Sequence, residues 1–140
     1  MTNVAKAISR KEIEETVRKL ERCQWALAEF THARHVTVAA WYLETMTAED
    51  ALVRMREGLQ RFIAHHGRMG YHETITRFWI ELVGTRLRGG PPGLITEERI
   101  ARVVEELSNK NLLFEFYSRE RVESEEAKRG WVAPDLQQIG

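Results

Sequence analysis

Thr31-His32-Ala33-Arg34-His35-Val36-Thr37-Val38-Ala39-Ala40-Trp41-Tyr42-Leu43 is the stretch that decides the fold. If it continues a helix begun near Lys11, the N-terminal third of the chain is one long rod. If Thr31 is an N-cap, its hydroxyl accepts a first-turn N–H and a second helix opens directly before His32. We take the second reading. That helix runs from His32 to about Thr45, with His35, Val38, Ala39, Tyr42, Leu43 and Met46 on its apolar face.

Upstream, Ile13, Val17 and Leu20 recur at helical spacing within Lys11 to Cys23. Ser9 is the expected N-cap, with Glu12 as its capping-box partner. Gln24 to Phe30 reads either as a continuation of that helix or as a break. Downstream, Thr47-Ala48-Glu49-Asp50 caps a third helix with Leu52, Met55, Leu59, Phe62, Ile63 and His66 along one face. Gly67 stops it. A fourth helix spans Tyr71 to about Arg88, with Ile75, Phe78, Trp79, Leu82 and Val83 turned inward.

Gly89-Gly90-Pro91-Pro92-Gly93 is the strongest breaker in the chain. After it, Thr96 is expected to cap a fifth helix, Glu97 to about Asn109. Asn111 to Tyr117 is an apolar segment, either a short helix or irregular. Ser124 caps a last short helix, Glu125 to Arg129. Trp131 to Gly140 contains Pro134 and reads as an extended strap. There is no alternating strand pattern and no repeat. The expected class is all-α: residues 1–140 as one compact domain, a mostly antiparallel bundle of five to six helices, with residues 131–140 as the strap.

Composition bounds the function. A hydrophobic content of 43% over 140 residues suits a globular core. Lys plus Arg and Asp plus Glu are both 21, so the basic surplus of a nucleic-acid binder is missing. The same balance gives no reason to expect an anionic membrane surface as partner. A near-neutral surface favours self-association weakly, so a homo-oligomer stays open. A lone cysteine, Cys23, rules out an internal disulfide and fits a reducing compartment. With no signal-peptide pattern and no apolar run of membrane-spanning length, a soluble cytoplasmic protein is expected.

The five histidines fall in two stretches, His32 with His35, and His65, His66 and His72. Short links make helices two, three and four antiparallel neighbours, which brings the two stretches to one end of the bundle. His32 and His35 are three apart and share a helix face. His72 falls on the same side as Ile75, Thr76 and Trp79. Glu73 is rotated away and is expected to point outward at a helix start. Imidazoles converging from two helices suit a divalent metal ion with open coordination positions. Glu29 stands three before His32, but a di-iron centre needs two such pairs plus further Glu residues, and the chain has one copy only, spanning the proposed break.

Two helix N-termini also favour an anion over a cation, so a metal-free pocket for a small anionic molecule is a second reading. Purely structural histidines are a third.

Phe30-Thr31-His32-Ala33-Arg34-His35-Val36, followed by Ala40-Trp41-Tyr42-Leu43 and by Gly70-Tyr71-His72-Glu73-Thr74-Ile75-Thr76-Arg77-Phe78, resembles a family of uncharacterised bacterial helical proteins. Members of that family carry an aromatic-Thr-His-x-x-His-Val/Leu stretch and a Tyr-His-Glu-Thr stretch about forty residues later. The resemblance covers roughly Trp25 to Leu87, with an echo at Phe116-Tyr117-Ser118 and in Trp131 to Leu136. It implies no activity. It singles out His32, His35, His72 and Glu73.

Three expectations follow. The first is a metal-binding helical protein, with a small metal-dependent enzyme as one form of it, and His32, His35, His72 and Glu73 around a divalent ion. The second is a metal-free pocket for a small anionic ligand, as in a sensor, carrier or acid-base enzyme. The third is an interaction module pairing an apolar ridge with a second copy or another protein. Under the first two, His35→Ala and His72→Ala should leave stability within about 1 kcal/mol of the parent, since residues held for function often cost stability.

Overall fold

The Thr31 hydroxyl accepts the Arg34 N–H at 3.3 Å, and a helix starts at His32. This comes from a computed structural model, which describes residues 7–140. Its α-helices are α1 (Arg10–Glu21), α2 (His32–Thr45), α3 (Ala48–His65), α4 (Glu73–Arg88), α5 (Thr96–Glu106), α6 (Leu113–Phe116), α7 (Arg119–Val122) and α8 (Glu125–Arg129). Short 3-10 turns cover Leu27–Glu29 and Lys110–Leu112. No strand occurs among the described residues.

The break between α1 and α2 has two parts. At the end of α1, the Gln24 N–H returns to the Lys19 carbonyl and the Cys23 N–H to that of Leu20. Cys23 sits between them with a left-handed φ of 55°. This is the Schellman closure, and here a cysteine holds the position usually given to glycine. Gly67 closes α3 in the same way, with φ 65° and the Arg68 N–H on the Ile63 carbonyl. The Leu27–Glu29 turn is then sealed by Glu29, whose carboxylate accepts the Ala26 N–H at 2.8 Å.

Helix α2 is the hub. It packs against α1, α3, α4 and α5. Val36, Thr37, Val38, Ala39, Ala40 and Tyr42 are buried, a wider band than one apolar stripe supplies. Two alanines and no bulky residue at Ala39 and Ala40 let neighbouring helices come close on that side. Helix α4 is the second internal element. Nine of its sixteen residues are buried, so it is covered on more than one face, by α2, α3, α5 and α8. Where the sequence pattern gives one inward stripe, the C-terminal part of the chain covers the other side.

That cover is polar as well as apolar. Thr74 donates to the Gly130 carbonyl at 2.7 Å and accepts the Val132 N–H at 3.1 Å. Tyr117 donates its phenol to the Val132 carbonyl at 2.6 Å, and the Leu136 N–H reaches the Phe116 carbonyl. These bonds hold the non-helical segment after Gly130 against the bundle.

Helix α3 is clamped from both sides by ion pairs. Arg54 meets Glu21 of α1 at 2.9 Å, and the same carboxylate accepts the Tyr42 phenol at 2.6 Å. Arg56 meets Glu73 at the start of α4. Two boundaries differ from the sequence reading. Helix α4 starts at Glu73, because His72 is its N-cap. Helix α5 starts at Thr96 with Ile95 at the cap position and ends at Glu106. Asn109 instead caps the following 3-10 turn.

Removing the Thr31 hydroxyl frees a first-turn N–H at the head of the hub helix. Thr31→Ala is expected to lower the unfolding free energy by about 1 kcal/mol, read as a lower urea midpoint at unchanged slope.

Candidate functional site

His72 is the best-defined histidine. Its Nδ1 accepts the Ile75 N–H at 3.1 Å, and its Nε2 lies 2.6 Å from the Val122 carbonyl. A carbonyl only accepts, so Nε2 carries the hydrogen and Nδ1 is bare. This is the neutral imidazole with both nitrogens in use. One ring caps α4 and ties it to the end of α7.

His32 and His66 do comparable work. His32 Nε2 donates to the carbonyl of Leu107, the C-cap residue of α5, at 2.8 Å. His66 Nε2 donates to the Trp25 carbonyl at 2.9 Å, tying the end of α3 to the α1–α2 connection. His32 also lies edge-on to Trp79, with centroids 4.6 Å apart. Trp79 is seven residues beyond His72, about 10 Å of helical rise. The sequence reading brought both histidines to one end of the bundle. The structure sets His32 two turns further along α4, and no ring contact joins His72 to His32 or His35 among the described residues.

His35 is different. Its Nε2 is shut off from solvent and has no hydrogen-bond partner. Its ring neighbours are Phe30, centroids 6.1 Å apart, and His32, at 6.5 Å. Burial pushes its pKa down to about 4, and the neighbouring His32 adds to the effect. Burial lowers the His32 pKa too; the Leu107 carbonyl opposes this and Lys110 reinforces it.

Glu73 does not point outward. Both its oxygens are held by Arg56, at 2.8 and 2.6 Å, and the Tyr71 phenol adds a bond of 2.7 Å. The Arg56 guanidinium holds the carboxyl below its usual range, against the pull of burial. Burial, and then the bond to the Glu73 carboxylate, push Tyr71 up to about 12.

The donor set therefore does not fit a shared divalent ion. His32 and His72 have their Nε2 atoms on backbone carbonyls, Glu73 is spent on Arg56, and His35 Nε2 is enclosed without a partner. Among the described residues, no group of three His, Cys, Asp or Glu side chains stands where it can hold a metal. Glu29, sealing its own turn, is no ligand either. Trp25 and Trp131 lie under cations, Lys19 and Arg34 over the first and Arg77 over the second.

A wide opening lies elsewhere. A groove of about 840 Å³ runs between the segment Ala7–Arg10 and α5. Ile8, Leu94, Ile95 and Ala101 give it apolar walls, and Glu98 and Glu105 stand at its edge. Ile95 is 58% exposed, unusual for a large aliphatic at a helix start. A smaller groove of about 430 Å³ shares Ala7, Ile8, Ala101 and Glu105 and continues toward Thr31 and Arg34. The sequence reading missed this surface. The available signal was Leu94-Ile95, an apolar pair directly after the Gly/Pro breaker and outside the inward stripe of α5.

No family model, curated protein or solved structure matches the chain. No helix among the described residues is long and apolar enough to cross a membrane.

His72→Ala removes a cap and leaves the Val122 carbonyl unpaired, so it is expected to cost about 2 kcal/mol or more, not less than 1. Chemical denaturation of the variant checks this. For His35, the native state resists the proton that the unfolded chain takes up below pH 6.5. Its contribution is therefore complete above pH 6.5 and is lost as pH falls toward 4, by about 3 kcal/mol in all. Other groups titrate in this window as well. The check is thus the difference between parent and His35→Leu stability–pH curves, which should be flatter for the variant over that range.

Proposed function

We propose that this chain is an interaction module, a rigid helical scaffold that presents the groove between Ala7–Arg10 and α5 to a partner. The observation that carries this reading is the groove itself: about 840 Å³ with apolar walls, while His32, His66 and His72 are engaged in tying helix ends to distant backbone carbonyls. Apolar grooves with few polar groups at the edge are the usual form of a binding surface.

The groove has no constellation for bond-making chemistry. Its polar residues are mostly paired with each other, Arg10 with Glu97 at 2.7 Å and Arg102 with Glu106 at 2.8 Å. Among the described residues its lining includes no histidine, cysteine or tyrosine. Metal binding has weaker support, since His32 and His72 give their Nε2 atoms to backbone carbonyls and Glu73 is held by Arg56. A small-anion pocket is disfavoured at the groove by its four glutamates.

Titration with a neutral apolar dye, Nile red, followed by amide shifts in NMR, tests the reading. Shifts are expected at Ile8, Leu94, Ile95 and Ala101, and they should vanish in Ala101→Trp, which fills the groove floor. Stoichiometric perturbation of His32, His35 and His72 by Zn²⁺ or Ni²⁺, with none at the groove on adding dye, would restore metal binding in its place.

A further inference from the structure

The edge of the groove carries one sign of unpaired charge. Helix α5 contributes Glu97, Glu98, Glu105 and Glu106 to the groove, against Arg10 and Arg102. Both arginines are already neutralised, on Glu97 and Glu106. Glu98 accepts the Ile95 N–H, and neither Glu98 nor Glu105 has a cationic partner among the described residues. Both are exposed. They are seven residues apart, so they stand on one face of α5, two turns and about 10 Å apart.

Between and beside these two carboxylates lie Ile8, Leu94, Ile95 and Ala101. Ala101 is small and 8% exposed, so a neighbouring backbone can approach the middle of the groove closely. Helix α5 has 11 residues, about 16 Å, which matches three turns of a second helix laid alongside. The smaller groove continues the surface and adds Glu12 and, at its far end, Arg34, with Glu105 common to both.

Resting on the interaction-module reading above, we infer that the occupant is a basic amphipathic helix of another protein. Its apolar residues, at positions i, i+3 or i+4, and i+7, enter the groove, and lysines or arginines about two turns apart meet Glu98 and Glu105. This is the helix-in-groove mode, with charge setting orientation and association rate and the apolar anchors setting affinity. An anionic lipid surface is the wrong partner for an acidic edge.

The test uses the full chain and an 18-residue synthetic peptide with leucine at the three anchor positions and lysine on the flanks. A second peptide replaces every lysine with glutamate. Fluorescence anisotropy is expected to show the lysine peptide binding at least 10-fold more tightly than the glutamate peptide, with affinity falling as salt rises. The double variant Glu98→Gln with Glu105→Gln keeps the Ile95 N–H acceptor and should lose at least 10-fold for the lysine peptide only. Ala101→Trp should abolish binding of both.

Equal affinity for the two peptides, or no effect of the double variant, overturns the basic-helix inference. If Nile red still maps to the groove in that case, the interaction-module reading survives it. If neither dye nor peptide reaches the groove, both fall. Preferential binding to phosphatidylserine vesicles overturns the inference as well. So does a dimer that Ala101→Trp dissolves, which would make a second copy the occupant.

Discussion

The hydrogen bond from an imidazole Nε2 to a backbone carbonyl far along the chain is the interaction on which the rest of this structure depends. Eight α-helices among the described residues, three of them five residues or shorter, leave many helix ends inside the bundle. Each end carries N–H or C=O groups without an intrahelical partner, and water does not reach all of them. His32, His66 and His72 satisfy Leu107, Trp25 and Val122 in turn, each from a different helix. An imidazole suits the task because its donor lies at the tip of a short, flat ring that also packs. His72 adds an acceptor at the opposite edge, so one residue closes two helix ends.

From that constraint follows the placement of the other polar groups. With the starts of α2 and α4 fixed, Arg56 on α3 can reach Glu73, and Arg54 on the opposite side reaches Glu21. Each pair also takes up a tyrosine hydroxyl, Tyr71 in one and Tyr42 in the other. These partly buried pairs are tightly hydrogen-bonded, which is the condition under which burying charge is not destabilising. The scaffold leaves His35 as its one enclosed nitrogen without a partner among the described residues, and holds that imidazole neutral through burial.

Much of the fold was legible in the sequence. Thr31, Thr47, Ser9 and Ser124 act as the N-caps their side chains suggest, and Gly67 closes α3. These are local hydrogen-bond rules that need no knowledge of the rest of the chain. The left-handed Cys23 carried no such signal, because a cysteine in a Schellman closure looks like any helical residue. The start of α4 was misplaced for a related reason: His72 caps it through a ring nitrogen, which the usual set of capping side chains does not include.

The site was less legible. Loop lengths correctly make α2, α3 and α4 neighbours, but they do not fix how far one helix slides along another. A shift of two turns separates His32 from His72 and leaves each to a carbonyl that sequence spacing cannot reveal, 75 and 50 residues away. Glu73 was read from its angle on a helical wheel, while Arg56 on a different helix decides where it goes. The groove depends on the segment at Ala7–Ile8 lying beside α5, a contact across most of the chain.

The most direct test of this account is the tautomeric state of the histidines, read from long-range ¹H–¹⁵N correlations of the imidazole rings at neutral pH. The account predicts that His72 is neutral with its proton on Nε2, that His32 and His66 also carry a proton on Nε2, and that a stoichiometric divalent metal leaves these signals in place. A His72 ring with the proton on Nδ1, or a common shift of the His32, His35 and His72 nitrogens on adding one equivalent of metal, would contradict it.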